Sequence, residues 1–230
     1  MTDSRFDNLL AIDTATRKLQ LAMMFGGDRT IKTSDVVTKS HGQILMARIQ
    51  SLCESAALEP GRLDAIIVSI GPGSFTGLRI GLAAAKGLAV AAGIPLLGIG
   101  LFDLYAHRMK VSGLSGAVVI PSRKGEYYLA LIDPAADTID AQVVAEAELR
   151  MRTVGRVVYG LGFDPAGNLP NQSGLILGGE LDYDAADLLN MGRERLLRGE
   201  RSDLTRLEPL YFQKAIAEVR FDERHGTSDN

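Results

Sequence analysis

Gly71-Pro72-Gly73-Ser74-Phe75-Thr76-Gly77-Leu78-Arg79-Ile80-Gly81 is the stretch on which the reading of this chain turns. An apolar run, Ala65 to Ile70, leads into it, and a helical run, Leu82 to Ala92, leads out. The order is strand, glycine-rich turn, helix. Glycine at such a turn lets another group approach closely, and the first N–H groups of the following helix form a positive end. That geometry suits phosphate, so Gly71, Gly73 and Ser74 are candidate nucleotide contacts. The stretch lacks the lysine and the spacing of a P-loop and does not fit the dinucleotide fingerprint. The alternative is a tight strand-to-helix crossover whose glycines serve close packing.

The rest of the composition sets limits. The chain has 230 residues, 46% hydrophobic and 23% charged, which is enough apolar material for a sizeable core. A formal charge of −3 gives no global attraction to nucleic acid, so any RNA contact needs a local patch or a partner. A single cysteine, Cys53, excludes an internal disulfide and a cysteine metal cluster. Met1 to Asp7 lacks an apolar signal core, and the run from Ile80 to Leu97 is broken by Lys86, Gly87, Gly93 and Pro95. The expected location is the cytoplasm, with no membrane partner.

Upstream of the turn, Leu9–Ile12, Leu19–Phe25 and Thr30–Val37 read as three strands of an antiparallel meander, the first ending in Asp13-Thr14-Ala15-Thr16. Ser40 is placed to cap a helix running to about Ala57. At helical spacing its Leu45, Met46, Ile49, Leu52, Cys53 and Ala56 fall within an arc of roughly 120°. The helix Thr76–Ala92 is different. Its only charges are Arg79 and Lys86, on one narrow side, and Gly77, Gly81, Ala84 and Leu88 make a nearly smooth opposite side. A helix apolar almost all round is buried on more than one face, by its own domain or by another chain. A partner surface on these two helices is one of those two readings.

Downstream, Leu96–Ile99 is a strand, Leu101–Lys110 a helix, and Val111 to Gly116 a hinge. Residues 117–144 then align with residues 9–36 at a constant offset and without a gap: Ile12 meets Ile120, Leu21 meets Leu129, Val36 meets Val144. The same offset sets Gly71 against Gly179 and Phe75 against Tyr183. The second half continues with Val157–Tyr159, a loop from Gly160 to Gly174, a strand at Leu175–Leu177 and a helix over Tyr183–Leu197. Pro209 to Phe212 returns to the first half, and from about Glu218 the tail is charged and frayed. The expected fold class is α/β: two related βββαβα-type lobes of the actin and sugar-kinase kind, with nucleotide, where bound, in the cleft between them. The expected limits are 1–113 joined by 209–217, then 114–208, with 218–230 as a disordered tail.

Gly71 to Gly81, continued by Leu82-Ala83-Ala84-Ala85-Lys86-Gly87, resembles the signature of the TsaB (YeaZ) family. These are bacterial proteins needed to make threonylcarbamoyladenosine in tRNA, earlier described as glycoproteases. Further support comes from Leu10–Thr16, Ser40-His41, Arg123–Glu126 and Pro209–Phe212. The resemblance implies a noncatalytic scaffold that positions or activates the TsaD transferase, with the TsaE ATPase joining and tRNA reached through the complex. It implies no required cofactor. In such systems the two helices of the first lobe bundle with the same helices of the partner, or with a second copy as a homodimer. Carried onto this chain, the interface comprises His41, Leu45, Arg48, Ile49 and Leu52 from the first helix. Gly77, Arg79, Gly81, Ala84, Lys86 and Leu88 come from the second. A bulky charged residue at Gly81 is then expected to block association and leave the fold intact.

The competing reading is a small actin-like ATPase or kinase. Asp13 is placed to hold hydrated magnesium, but Ala15 stands where such enzymes use glycine. The matching turn, Pro121 to Glu126, has no Asp, where the family carries one near Pro121. Efficient ATP hydrolysis is not expected, and weak binding of ATP and magnesium stays open. TsaD holds a metal with two histidines one helical turn apart; here the residue one turn after His41 is Leu45, and His107 and His225 have no ligand pattern nearby. The context of Ser74 is not a nucleophile elbow, so a protease ranks third. Cys53 reads as a core thiol. Arg193, Arg195, Arg198 and Arg201 are interleaved with Glu194 and Glu200 and read as a solvated helix end rather than an RNA patch.

Overall fold

The computed structural model describes residues 6–37, 41–122, 125–133, 135, 138–160, 169, 175–181 and 183–210. Ser40, Arg123, Lys124, Tyr211, Phe212, the tail, most of the loop from 160 to 174 and the side chain of His41 lie outside the described residues.

The first sheet joins β1 (Leu9–Asp13), β2 (Lys18–Phe25), β3 (Arg29–Val36), β4 (Ala65–Ser69) and β5 (Leu96–Ile99) in the order β3-β2-β1-β4-β5. The meander is antiparallel, and β4 and β5 add in parallel. Parallel additions need crossovers, supplied by α1 (Leu45–Ala56) and α2 (Phe75–Ala92). The second sheet repeats this order with β6 (Gly116–Pro121), β7 (Glu126–Asp133), β8 (Thr138–Ala145), β9 (Val157–Gly160) and β10 (Ile176–Glu180), as β10-β9-β6-β7-β8. The internal repeat is thus two copies of one topology, facing lobes of the actin kind. Strand β7 falls at the offset of β2, although the hairpin register differs by one residue: Leu9 faces Met24, and Ala117 faces Leu131. The offset does not extend to Gly71 and Gly179. Gly71 follows β4, whereas Gly179 lies within β10, the counterpart of β5, so those two glycines are not equivalent.

Among the described residues there are also the helices α3 (Leu101–Val111), α4 (Glu146–Arg152) and α5 (Ala185–Leu197). Alternation along the strands divides the core. Leu10, Ile12, Leu19, Leu21, Met23, Ile66 and Val68 face α1 and α2. Leu9, Ala11, Ala22, Met24 and Ile67 face a shared interior with Val118, Ile120, Ala130 and Ile132 of the second sheet. That interior is filled by α3 and α5. The helix α5 belongs to the second half by sequence, yet it lies on the first sheet: a Cβ on Gly192 would sit 2.5 Å from Ile67. In return α3 contacts β7 and β8. The return of the chain to the first lobe begins before Pro209, at Ser202, whose N–H donates to Leu96 O at 2.9 Å.

Helix ends are set by local chemistry. The Ser74 hydroxyl accepts from Gly77 N–H at 3.2 Å, and α2 stops at Gly93 with φ +65°. Asp184 and Asp187 form a capping box on α5. The first long helix starts later than its expected cap at Ser40: a 3-10 turn spans His41–Gln43 and α1 begins at Leu45. By length and composition α2 reaches what a membrane crossing requires, with a mean hydropathy of 1.3. Here Leu78, Leu82, Ala85 and Ala89 of α2 are buried within the first lobe, so its apolarity is used in packing on the sheet.

Candidate functional site

The glycine-rich turn and the β1–β2 turn meet at the open end of the first sheet. Gly71 has φ +96°, where any side chain would be strained. Beyond it, the glycines make room for the chain itself. A Cβ on Gly73 would stand 2.3 Å from Ala15 O, one on Gly77 2.1 Å from Thr14 O, and one on Gly81 2.2 Å from Thr14 Oγ1. Two hydrogen bonds hold this arrangement: Ser74 N–H donates to Ala15 O at 2.7 Å, and the Thr14 hydroxyl donates to Gly77 O at 2.8 Å. The space that a phosphate would need is filled by Thr14 and Ala15. Ser74 is occupied as the helix cap.

Asp13 is fully buried. Its Oδ1 accepts from Ala15 N–H at 3.0 Å and from the Ser69 hydroxyl, and its Oδ2 accepts from the Tyr183 hydroxyl. A buried carboxylate is tolerable only with such donors. Tyr183 lies two residues before α5 begins, so this contact ties the first turn to the second half of the chain. The tyrosine ring meets Tyr105 edge-on at 5.5 Å, and the Tyr105 hydroxyl donates to Leu181 O at 2.8 Å. Asp13, the residue expected to hold magnesium, is engaged within the chain. The carboxylate is sealed, Ala15 is packed against Gly73, and the glycines are filled. The four nucleotide candidates Asp13, Gly71, Gly73 and Ser74 therefore lie together but serve as a structural joint.

The outer face of the first lobe is different in kind. Thr76, Arg79, Ala83, Gly87 and Val90 recur at helical spacing along α2 and are exposed, Val90 by 67%. Arg79 lies over the Phe75 ring at 3.9 Å. Ala84, Lys86 and Leu88 are half-buried. An apolar groove of about 690 Å³ runs beside this stripe, lined by Met46, Ile49, Gln50, Cys53, Leu58 and Leu88 among others. Burial pushes the Cys53 thiol up, with Glu54 adding to it, so the thiolate is disfavoured. Arg48 is exposed and paired with Asp35. Five interface expectations need correction. Gly77 and Gly81 are buried against Thr14, and Leu45, Ile49 and Leu52 belong mainly to the lobe's own core.

The arginines within and just after α5 are tied internally: Arg193 donates to Phe6 O, Arg195 stands 3.5 Å from Asp103, and Arg201 donates to Leu196 O. His107 is exposed on α3. Among the described residues, no three His, Cys, Asp or Glu side chains converge as a metal-binding group.

A family model described as TsaD, tRNA N6-adenosine threonylcarbamoyltransferase, matches residues 33–162, more than half of the chain. The chain belongs to that family. Within it the likeness over nearly the whole length is to the TsaB (YeaZ) proteins. The chain is 28% identical to the tRNA threonylcarbamoyladenosine biosynthesis protein TsaB of Escherichia coli, over 91% of this chain and 96% of that protein. It superposes on YeaZ from Pseudomonas aeruginosa with a TM-score of 0.70 at 26% identity, covering 89% of this chain and 99% of the other. The tRNA N6-adenosine threonylcarbamoyltransferase of Nitratidesulfovibrio vulgaris is 30% identical over half of this chain but only 30% of its own length. The TsaB likeness runs over nearly the whole of both proteins, whereas the transferase relative is covered over less than a third of its own length.

Sequence reading missed Ser69 and Tyr183 as the partners of Asp13. They lie far from it in the chain, and neither carries a local signal. The hint for Thr14 is the spacing of the glycines four apart, which admits a close neighbour from the same chain or from another without saying which.

Proposed function

We propose that this protein is a noncatalytic subunit in tRNA threonylcarbamoyladenosine biosynthesis that docks through the outer face of its first lobe on a TsaD-type transferase. The observation that carries the reading is Asp13. The acidic residue that an actin-like ATPase would use at its first turn is sealed by Ser69, Ala15 and Tyr183. What remains open is the stripe along α2 and the apolar groove beside it. Such a surface suits a helix face of small residues from a partner. The transferase is a fitting partner because its own likeness to this chain covers 116 residues, so two similar surfaces would meet nearly symmetrically. In isolation the chain would pair with a second copy through the same face. A TsaE-type ATPase would supply nucleotide turnover, and tRNA would be met through the complex.

Mass measurement by light scattering tests this, with the chain alone and mixed with its cognate transferase, with and without ATP. A stable one-to-one complex and no ATP turnover by the chain alone are expected. No complex under any condition, together with turnover by the chain alone, would overturn the reading in favour of an ATPase or kinase.

A further inference from the structure

Three consecutive residues, Asp13-Thr14-Ala15, join α2 to the second half of the chain. The Asp13 carboxylate accepts from the Ser69 hydroxyl at the end of β4 and from the Tyr183 hydroxyl just ahead of α5. The Thr14 hydroxyl donates to Gly77 O in the first turn of α2 at 2.8 Å. Ala15 O accepts from Ser74 N–H, at the cap of the same helix, at 2.7 Å. All three residues are buried. One side of the turn is thus fixed to α2, and the other side to the start of α5.

The turn meets α2 at bare backbone. Where Gly77 and Gly81 stand, a Cβ would lie 2.1 Å from Thr14 O and 2.2 Å from Thr14 Oγ1. Neither glycine places a side chain between turn and helix to absorb a shift, and close-packed interiors transmit strain. At helical spacing Gly77 and Gly81 lie on the side of α2 opposite the exposed Arg79, Ala83 and Val90. At the far end, the Tyr183 ring is braced edge-on by Tyr105, and the capping box of α5 begins at the next residue. A displacement of α2 therefore moves Thr14, and with it the carboxylate that holds Tyr183. We propose that Asp13-Thr14-Ala15 is a relay: a partner seated on the outer face of α2 steadies the turn and strengthens the joint between Asp13 and Tyr183. The two states are the joint made, as here, and the joint open, with Tyr183 withdrawn from Asp13. The relay rests on transferase docking at that face and adds to it a consequence for the two halves of the chain. Such coupling is reciprocal, so a weakened joint weakens docking by the same factor.

The test is a double-mutant cycle on binding, read by calorimetric titration of the full chain with its cognate transferase. Tyr183→Phe takes the hydroxyl from the joint, and Thr14→Val takes the hydroxyl from α2 with little change of shape. Both residues are buried, so neither belongs to the exposed stripe itself. Each single variant should bind about fivefold or more weakly, and the double variant no more weakly than the weaker single one, since both cut one relay. Amide exchange over residues 183–189 should slow by about threefold or more when the transferase binds the wild type, and should not respond in Thr14→Val. Thermal unfolding shows that each variant is folded at the titration temperature, and the exchange measurement on the wild type decides the matter even where a variant is not. Absence of a complex with the wild type would remove docking and the relay together. A wild-type complex with unchanged affinity in Tyr183→Phe, additive losses in the double variant, or unaltered exchange at 183–189 would overturn the relay and leave docking in place.

Discussion

At the scale of single residues, the cleft is organised by satisfaction of buried polar groups. Asp13 carries a carboxylate into the interior, and each donor it meets comes from a different part of the chain. Tyr183→Phe keeps the ring and its edge contact with Tyr105 but withdraws one donor from that carboxylate. The expected loss is about 1–3 kcal/mol in urea unfolding, the cost of leaving a buried acceptor short of a partner. The Lys32–Asp184 pair lies at the rim and behaves differently. The Lys32 ammonium is raised above its ordinary value of 10.5 by its hydrogen bond to Asp184 and by that residue's charge. Burial pushes the Asp184 carboxyl up, but Lys32 and the Ala186 and Asp187 N–H groups outweigh it, so it is held below its ordinary 3.8. The signs then follow. Asp184 contributes stability above its unfolded value and loses it as pH falls through the lower folded value. Lys32 contributes fully below its unfolded value and loses it as pH rises through the higher folded one. Unfolding of wild type and Lys32→Met should therefore differ by a constant amount between about pH 5 and about pH 10 and converge outside that window. A difference that varies through neutral pH would count against this pairing.

At the scale of elements, α2 separates what sequence can and cannot decide. Its existence, its start at the glycine-rich turn and its end near Gly93 follow from the apolar pattern and the cap residues. So do the three-strand meander and its repetition, because short apolar runs separated by turns occur in residues 9–36 and align without a gap with 117–144. The side of α2 that would meet a partner was not legible. An almost wholly apolar helix offers no polar stripe to mark its outer face, and small residues suit an intramolecular contact as well as an intermolecular one. Gly77 and Gly81 turn inward on Thr14, whereas nothing lies within 4 Å of a Cβ on Gly87. These two environments predict opposite outcomes for one substitution. Gly87→Arg should leave the fold intact, gaining up to about 1 kcal/mol from replacing a helical glycine, and should abolish the one-to-one complex on light scattering. Gly81→Arg should destabilise the chain by about 3 kcal/mol or more, because its Cβ meets Thr14 before any partner does. A Gly87→Arg chain that still bound the transferase would move the docking surface off this stripe.

At the scale of the whole molecule, the two halves of the chain are not two independent bodies. The repeat predicts a pair of lobes, each closing its own core, and the pattern alone cannot say which sheet a helix covers. The structure exchanges that cover. The apolar side of α5, with Leu188, Leu189 and Leu196, fills the interior over Leu9, Ala11, Ala22 and Ile67 of the first sheet, while α3 leans on β7 and β8 of the second. The two helices are joined by the Arg108–Asp187 pair and by Arg195 with Asp103. Residues 202–210 then run back along β5, with Gly98 N–H donating to the Ser202 hydroxyl at 3.0 Å and Leu207 packed over Gly98. Cutting the chain at the hinge would strip the first sheet of α5 and of this strap, and leave one face of β1, β2 and β4 open to water. Hydrophobic burial is the main stabilising force, and a domain of this size is stable by only about 5–15 kcal/mol, so the loss of one covered sheet face exceeds the margin. Residues 1–113 expressed alone should therefore bind a hydrophobic dye, lack dispersed methyl signals in NMR and show no cooperative thermal transition. The full chain should unfold in one transition seen alike by fluorescence and circular dichroism. Adding residues 114–230 in trans should restore the dispersed spectrum, because the missing cover is a helix and a strap rather than a covalent bond. A fragment 1–113 that unfolds cooperatively on its own would mean that α1 and α2 close that lobe without help, and that the exchange of helices serves only to hold the two lobes together.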